Sequence, residues 1–119
     1  MATADEEILI LAQIETMEAV ENIGDILSVD GIDVSYIGPS DLSASYGHLG
    51  DMAHTDVQEA IDRVFDISVS MSVATGIHMG AGKTIMDRVK KGYKFITVGN
   101  DLDFVRTSAT NILKQLNRV

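Results

Sequence analysis

Cysteine is absent from this chain, which excludes disulfides, thiolate metal sites and cysteine nucleophiles at once. Long apolar runs are missing too. The longest, Ile8 to Ala12, is far short of the about 20 residues that a membrane-spanning helix needs, and no cationic stretch precedes it. Positive charge is scarce: nine Lys+Arg stand against eighteen Asp+Glu, a net charge of −9 with no acidic or basic tail. Nucleic acid and anionic membranes would both repel such a surface. What remains is 45% hydrophobic with a mean hydropathy of +0.13, enough to build a core and too much for a disordered chain. The 119 residues therefore read as one soluble, acidic, cytoplasmic domain spanning 1–119.

Four runs rich in β-branched and aliphatic residues are too short for helices and read as strands: Ile8–Ile14, Asp33–Ile37, Val73–His78 and Phe95–Val98. Their nearly continuous hydrophobicity suits parallel strands covered on both faces. Helical patterns alternate with them. Met17–Leu27 places Val20, Ile23 and Leu27 on one stripe. Thr55 opens a second helix, with Gln58 completing a capping box and Val57, Ile61, Val64 and Phe65 inward. Lys83–Lys91 is a third, stopped by Gly92. Asp101 caps a fourth that runs to about Leu116, with Val105, Ile112 and Leu116 inward. Strand–helix repeated four times is an α/β pattern with a parallel sheet.

The strand ends near Glu15, Gly38, His78 and Gly99 give a spacing of about 28 residues per unit. An eighth of a ~250-residue TIM (β/α)8 barrel is about 31 residues. The expected fold is therefore a (β/α)4 half of such a barrel. A curved half-barrel leaves an apolar face and unpaired edges open to water, which predicts a homo-oligomer or a complementary half. A small doubly wound sheet, with helices on both faces, is the alternative.

Ligands of α/β folds sit at the carboxyl ends of strands. The first strand ends Gln13-Ile14-Glu15 and the second Gly38-Pro39-Ser40-Asp41. Alternation puts Gln13 and Glu15 on one side and Ile14 on the other, and neighbouring parallel strands bring Glu15 and Asp41 to one rim. Two carboxylates beside a polar amide suit a hard cation such as Mg²⁺ or Mn²⁺. The turn adds free amides at Ser40 and Asp41 that suit a substrate carboxylate. Purely structural roles are the alternative: Glu15 in a helix's first turn, and Asp41 as the N-cap of a short helix containing Leu42 and Ser43.

The stretches QIETMEAVENI (Gln13–Ile23), ILSVDGID (Ile26–Asp33), IGPSDLS (Ile37–Ser43), TGIH (Thr75–His78) and GYKFITVGND (Gly92–Asp101) together resemble the HpcH/HpaI aldolase family. These are class II 2-oxo acid aldolases, to which macrophomate synthase is related, and the resemblance runs from Leu11 onward. It implies that Glu15 and Asp41 ligate a divalent metal, Mg²⁺ or Mn²⁺ with Co²⁺ as a further option. It implies that Gln13 lies by the 2-oxo group of a pyruvate-like substrate, and that Gly38 to Asp41 hold its carboxylate. Ser40 replaces the usual Ala, a change that a backbone role survives. The chemistry implied is Lewis-acid stabilisation of a pyruvate enolate as a C–C bond breaks or forms.

Members of that family are (β/α)8 barrels of roughly twice this length, and these motifs belong to the second half. The His-centred base and the enolate-stabilising Arg of the first half have no counterpart here, since Arg63, Arg88, Arg106 and Arg118 all fall in helical patterns. The chain is then either a piece of a longer one or a partner of a second half.

Other features read more plainly. Gly80-Ala81-Gly82-Lys83-Thr84 follows a strand, but a P-loop needs Gly at position 77, where Ile stands. By spacing His48, His54 and His78 form no metal cluster, and His48 and His54, which flank Gly50, read as solvated loop residues. His78 faces the site or is structurally satisfied, Tyr36 and Tyr46 wall a pocket or join the core, and Met52, Met71, Met79 and Met86 read as packing residues. The expected function is a lyase acting on 4-hydroxy-2-oxo acids. A non-catalytic half-barrel that keeps the metal ligands and a phosphate-binding domain built on Gly80–Thr84 are the alternatives.

Overall fold

A computed structural model of the chain describes residues 7–80 and 84–116. Strands β1 (Leu11–Ile14), β2 (Val34–Ile37), β3 (Ala74–Met79) and β4 (Phe95–Val98) are all parallel and lie in the order β1-β2-β3-β4. Among the described residues the helices are α1 (Met17–Glu21), α2 (Ile23–Leu27), α3 (Pro39–Ser45), α4 (Thr55–Ser70), α5 (Ile85–Lys91) and α6 (Asp101–Gln115).

Ile14, Ile37 and Ile77 stand side by side in the register of β1, β2 and β3. All three are buried in one cluster with Val20, Ile23 and Leu27 of α1 and α2 and with Val57, Ile61 and Val64 of α4. The core therefore fills a single face of the sheet. Strand order never reverses, and both facts exclude the doubly wound alternative. The helix stripe expected for Met17–Leu27 is buried as a set, although the segment breaks at Asn22, which closes α1 and opens α2.

Period-2 alternation sends the remaining strand residues to the other face. There Leu11, Val34 and Ala74 form one row, and Gln13, Tyr36, Gly76 and Phe95 form the next. Gly76 is needed at its place: a Cβ would stand 3.0 Å from the Phe95 carbonyl and 3.1 Å from the Tyr36 ring. Its absence lets Tyr36 meet Phe95 edge-on, with centroids 5.8 Å apart.

Several boundaries differ from the sequence reading. β1 starts at Leu11 rather than Ile8, because Asp33 ends the ladder: its carboxylate accepts from the Ile10 amide at 2.8 Å. Ile8, Leu9 and Ile10 are left exposed at the sheet margin. The N-cap of α4 is His54, not a Thr55–Gln58 box, since the Gln58 side chain donates instead to the Met52 carbonyl at 2.7 Å. α5 begins at Ile85, and Gly92 closes it at φ +116° as expected; Lys83 lies outside the described residues. Asn100 rather than Asp101 caps α6, accepting from the Asp103 amide at 2.8 Å.

The largest difference concerns α6 itself. Val105, Ile112 and Leu116, expected inward, are 70%, 55% and 61% exposed, and α6 buries none of its residues. A barrel helix packs in the crevice between its own strand and the next, and no fifth strand follows β4 among the described residues. Met52, Met71 and Met86 are exposed as well, and only Met79 packs against the core. The radius of gyration, 17.1 Å, accordingly exceeds the about 13–14 Å of a closed domain of this length.

Two polar residues on the helix-facing side differ in satisfaction. Ser35 donates to Ser68 Oγ (2.7 Å), which in turn donates to the Val64 carbonyl (2.6 Å). Thr75 Oγ1 is buried with no partner among the described residues. Substitutions in this layer should therefore have opposite signs: Ser68→Ala, which strands the Ser35 donor, costs about 1–3 kcal/mol, whereas Thr75→Val adds about 1 kcal/mol. Urea unfolding of both variants measures this.

Tyr93 gives a second expectation. It packs on Phe65, with ring centroids 4.7 Å apart, under the Arg88 guanidinium. Burial pushes its hydroxyl from 10.0 up to about 12, and the Arg88 charge offsets this only in part. Because the unfolded chain loses that proton first, stability falls as the pH rises from 10.0 to about 12. Tyr93→Phe should flatten that fall in unfolding midpoints measured across the same range.

Candidate active site

The carboxyl ends of β1 and β2 are locked together by backbone and cap. The Gly38 amide donates to the Ile14 carbonyl at 3.1 Å, carrying the ladder one step beyond the strands. Thr16 caps α1, its hydroxyl accepting from the Ala19 amide at 3.1 Å. The Met17 amide donates to Ser45 Oγ at 2.9 Å, so the start of α1 is tied to the end of α3. Glu15 and Asp41 occupy the two turns held by these contacts.

Glu15 is half-buried and Asp41 exposed. The Gln13 side-chain amide donates to a Glu15 carboxylate oxygen, as their shared side of the strand requires, while Ile14 turns into the core. Gly38 caps α3 with no side chain of its own, and Pro39 takes the first helical position, where its missing N–H costs nothing. The amides of Ser40 and Asp41 fall in the first turn, which leaves them without partners inside the helix. Asp41 is thus a first-turn residue of α3, and Gly38 holds the N-cap place that the structural alternative assigned to Asp41.

A pocket of about 300 Å³ is lined by Gln13, Tyr36, Gly38, Pro39, Ser40, Asp41 and His78. Five of the six residues singled out in the sequence meet there. The sixth, Glu15, borders it: a Cβ on Gly38 would lie 3.0 Å from its Oε2 and 3.4 Å from Gln13 Nε2. The two carboxylates and the Gln13 amide offer only hard donors, the chemistry of a Mg²⁺ or Mn²⁺ site that keeps positions for water or substrate. A larger hollow of about 520 Å³ runs along α6 beside Phe104, Arg106 and Asn111. It lies apart from Glu15 and Asp41, and Arg106 there is already paired with Asp103 at 2.8 Å.

His78 proves to be both a pocket residue and a satisfied one. Its Nδ1 bonds Thr97 Oγ1 at 2.8 Å, and the same oxygen meets the Tyr36 hydroxyl. Nothing local in the sequence marks Thr97, although its register opposite His78 follows once β3 and β4 are aligned. His48 and His54, solvated and unclustered by spacing, are instead half-buried and form a cluster with Asp56. Their rings stack 3.4 Å apart at 16°, beside the Asp56 carboxylate. Gly47 and Gly50, at φ +78° and +84°, fold the loop so that these two histidines meet. Of the Gly80–Thr84 segment, 81–83 lie outside the described residues, and Thr84 provides no side-chain cap to α5.

Gly38 is the sharpest test of the pocket's geometry. Its backbone (φ −102°) accepts any residue, so Gly38→Ala should fold normally but displace Glu15. Mn²⁺ binding followed by calorimetry should weaken about 10-fold, the lower range for disturbing the support of a ligand, with an unchanged far-UV spectrum.

Comparison with known proteins places this arrangement. The family model for HpcH/HpaI aldolase/citrate lyase matches residues 2–108. The 5-keto-4-deoxy-D-glucarate aldolases of Shigella boydii and Escherichia coli are each 34% identical over 111 residues, which is 93% of this chain and 43% of theirs. The chain thus spans a little under half the length of these relatives. Among solved structures, an HpcH/HpaI aldolase/citrate lyase family protein from Burkholderia cenocepacia superposes with a TM-score of 0.87 at 33% identity, covering 98% of this chain and 45% of that one. Macrophomate synthase superposes with a TM-score of 0.77 at 22% identity, covering 98% and 41%, a likeness of fold. The four strands and their helices therefore correspond to half of an aldolase barrel, and the chain belongs to the HpcH/HpaI aldolase/citrate lyase family.

Proposed function

We propose that this chain carries the metal- and oxo-acid-binding half of a class II aldolase, cleaving or forming 4-hydroxy-2-oxo acids to or from pyruvate and an aldehyde. The observation that carries the reading is the meeting of Gln13, Gly38, Pro39, Ser40 and Asp41 in one strand-end pocket, with Glu15 at its border. The aldolase relatives, named for a keto-deoxy sugar acid, point the same way.

Glu15 and Asp41 would hold the cation, Mg²⁺ or Mn²⁺. When bound it supplies Lewis acidity toward the 2-oxo group. The chain's own residues do the rest. Gln13, hydrogen-bonded to Glu15, holds that carboxylate in place and presents its amide to the oxo group. The Ser40 and Asp41 amides receive the substrate carboxylate at the start of α3. The Thr97–Tyr36 pair fixes the His78 ring through Nδ1, so that the ring walls the side of the pocket opposite β1.

Cleavage also requires a proton to leave the C4 hydroxyl. General acid–base groups supply ~10²–10⁴-fold, and no side chain lining this pocket is paired in a way that assigns it that work. The uncovered inner face and the exposed apolar side of α6 fit the same conclusion: a second half-barrel, from a longer chain or a partner, completes the site.

Calorimetry and a pyruvate-release assay test the whole reading. Mn²⁺ should bind once per chain and promote binding of oxalate, a pyruvate-enolate mimic, and both Glu15→Gln and Asp41→Asn should weaken Mn²⁺ at least about 10-fold. The chain alone should cleave 4-hydroxy-2-oxo acids poorly, with turnover rising when the first half of a family barrel is added in trans. Unchanged Mn²⁺ affinity in both variants sinks the metal assignment. Full activity of the chain alone sinks the need for a second half.

A further inference from the structure

We propose that His48, His54 and Asp56 form a second cation site, selective for a borderline metal of the Zn²⁺ class and separate from the carboxylate pair at the strand ends. His48 Nε2 lies 3.1 Å from Asp56 Oδ2, and His54 Nδ1 lies 3.7 Å from the same oxygen. All three donor atoms fall within 4.8 Å of one another. A cation about 2.0–2.2 Å from each nitrogen and oxygen fits a triangle of this size after small side-chain rotations. Two imidazoles and one carboxylate favour Zn²⁺ over Mg²⁺ or Mn²⁺, which prefer all-oxygen sites.

The loop that presents these groups is already built. The His48 amide donates to the Ser43 carbonyl (2.7 Å), and the Gly50 amide donates to the fully buried Ser43 hydroxyl (3.2 Å). Turns from Asp51 to His48 (2.8 Å) and from His54 to Asp51 (3.2 Å) close the loop, and Gln58 holds the Met52 carbonyl. Metal binding therefore loses little to the ordering of backbone, which is where most loop sites forfeit affinity.

The ligand atoms are also easily released. His54 Nδ1 now accepts a long 3.3 Å cap bond from the exposed Asp56 amide, which water can replace. Binding replaces the direct 3.1 Å contact of His48 Nε2 with Asp56 Oδ2 by one bond from each atom to the metal, with the His48 N–H carried on Nδ1. The position gives the site a consequence. The loop joins α3, which carries Ser40 and Asp41, to the first turn of α4, so a bound cation pins the far end of the helix that begins at the oxo-acid pocket.

The test titrates the chain with ZnCl₂ alone while imidazole ¹⁵N–¹H signals and heats of binding are recorded. The His48 and His54 signals should move together at one Zn²⁺ per chain, with His78 unmoved. His48→Gln should weaken Zn²⁺ by about 10-fold or more, the least expected for losing a ligand when its supports alone are worth 10–100-fold. His54→Asn should do the same while keeping a good α4 cap, so its loss is not read as unfolding. Glu15→Gln should leave Zn²⁺ at this site unchanged, which separates a failure here from a failure of the aldolase reading. Wild-type affinity in both histidine variants, no binding by the wild type, or movement of His78 in place of the pair would overturn the proposal.

Discussion

The row of Ile14, Ile37 and Ile77, in register across three parallel strands and pressed against α1, α2 and α4, decides where every other strand residue goes. With side chains alternating at a period of two, a slip of one residue would turn the row outward and bury Gln13 and Tyr36 in its place. The energetic cost of burying Gln13 without partners, against the apolar burial gained by three isoleucines, makes the observed register the only favourable one. Once it is set, Gln13, Tyr36, Gly76 and His78 must line the opposite face, and Glu15 must follow Gln13 toward the rim. Core registry thus decides which polar side chains reach the pocket.

Local chemistry then refines what registry supplies. At the rim, Gly38 lets the Glu15 carboxylate lie across the turn, and Pro39 starts α3 at once. Ser45, at the other end of α3, reaches back to the first amide of α1. Two successive units are thereby clamped at the end where the carboxylates stand. Their like charges would otherwise favour separation, in a chain whose net charge is already −9. Both acid groups stand on the turns that follow β1 and β2, where the proposed function places its cation.

Strand number, strand order and the grouping of the strand-end residues are legible in the sequence because they rest on short-range periodicity and on motifs held within a few residues. Gln13 and Glu15 are two apart on one strand, and Gly38 to Asp41 are contiguous, so no tertiary knowledge is needed to group each set. The features that the sequence conceals share one cause: each depends on a partner brought in by the fold. Asp33 takes the Ile10 amide out of the ladder and so trims β1 to Leu11–Ile14, which no local pattern of Ile8–Ile14 reveals. His48 and His54 meet only because Gly47 and Gly50 adopt positive φ, and Thr97 joins His78 only through the β3–β4 register. The stripe on α6 is apolar as its periodicity says, yet it is not buried. Periodicity reports which side of a helix seeks cover and not whether cover is present.

That last distinction links the fold to the chemistry. Leu102, Val105, Ile112 and Leu116 along α6 are all more than half exposed, while the inner face presents Leu11, Phe95 and the Tyr36 ring beside polar Gln13 and His78. A single remedy covers both surfaces: further strands beyond β1 and β4 would give α6 its crevice and close the inner face into a layered barrel interior. The same strands would bring new carboxyl ends to the rim where Glu15 and Asp41 stand. Cover for α6 and closure of the inner face would therefore be one structural event, with apolar burial along both surfaces as its driving force.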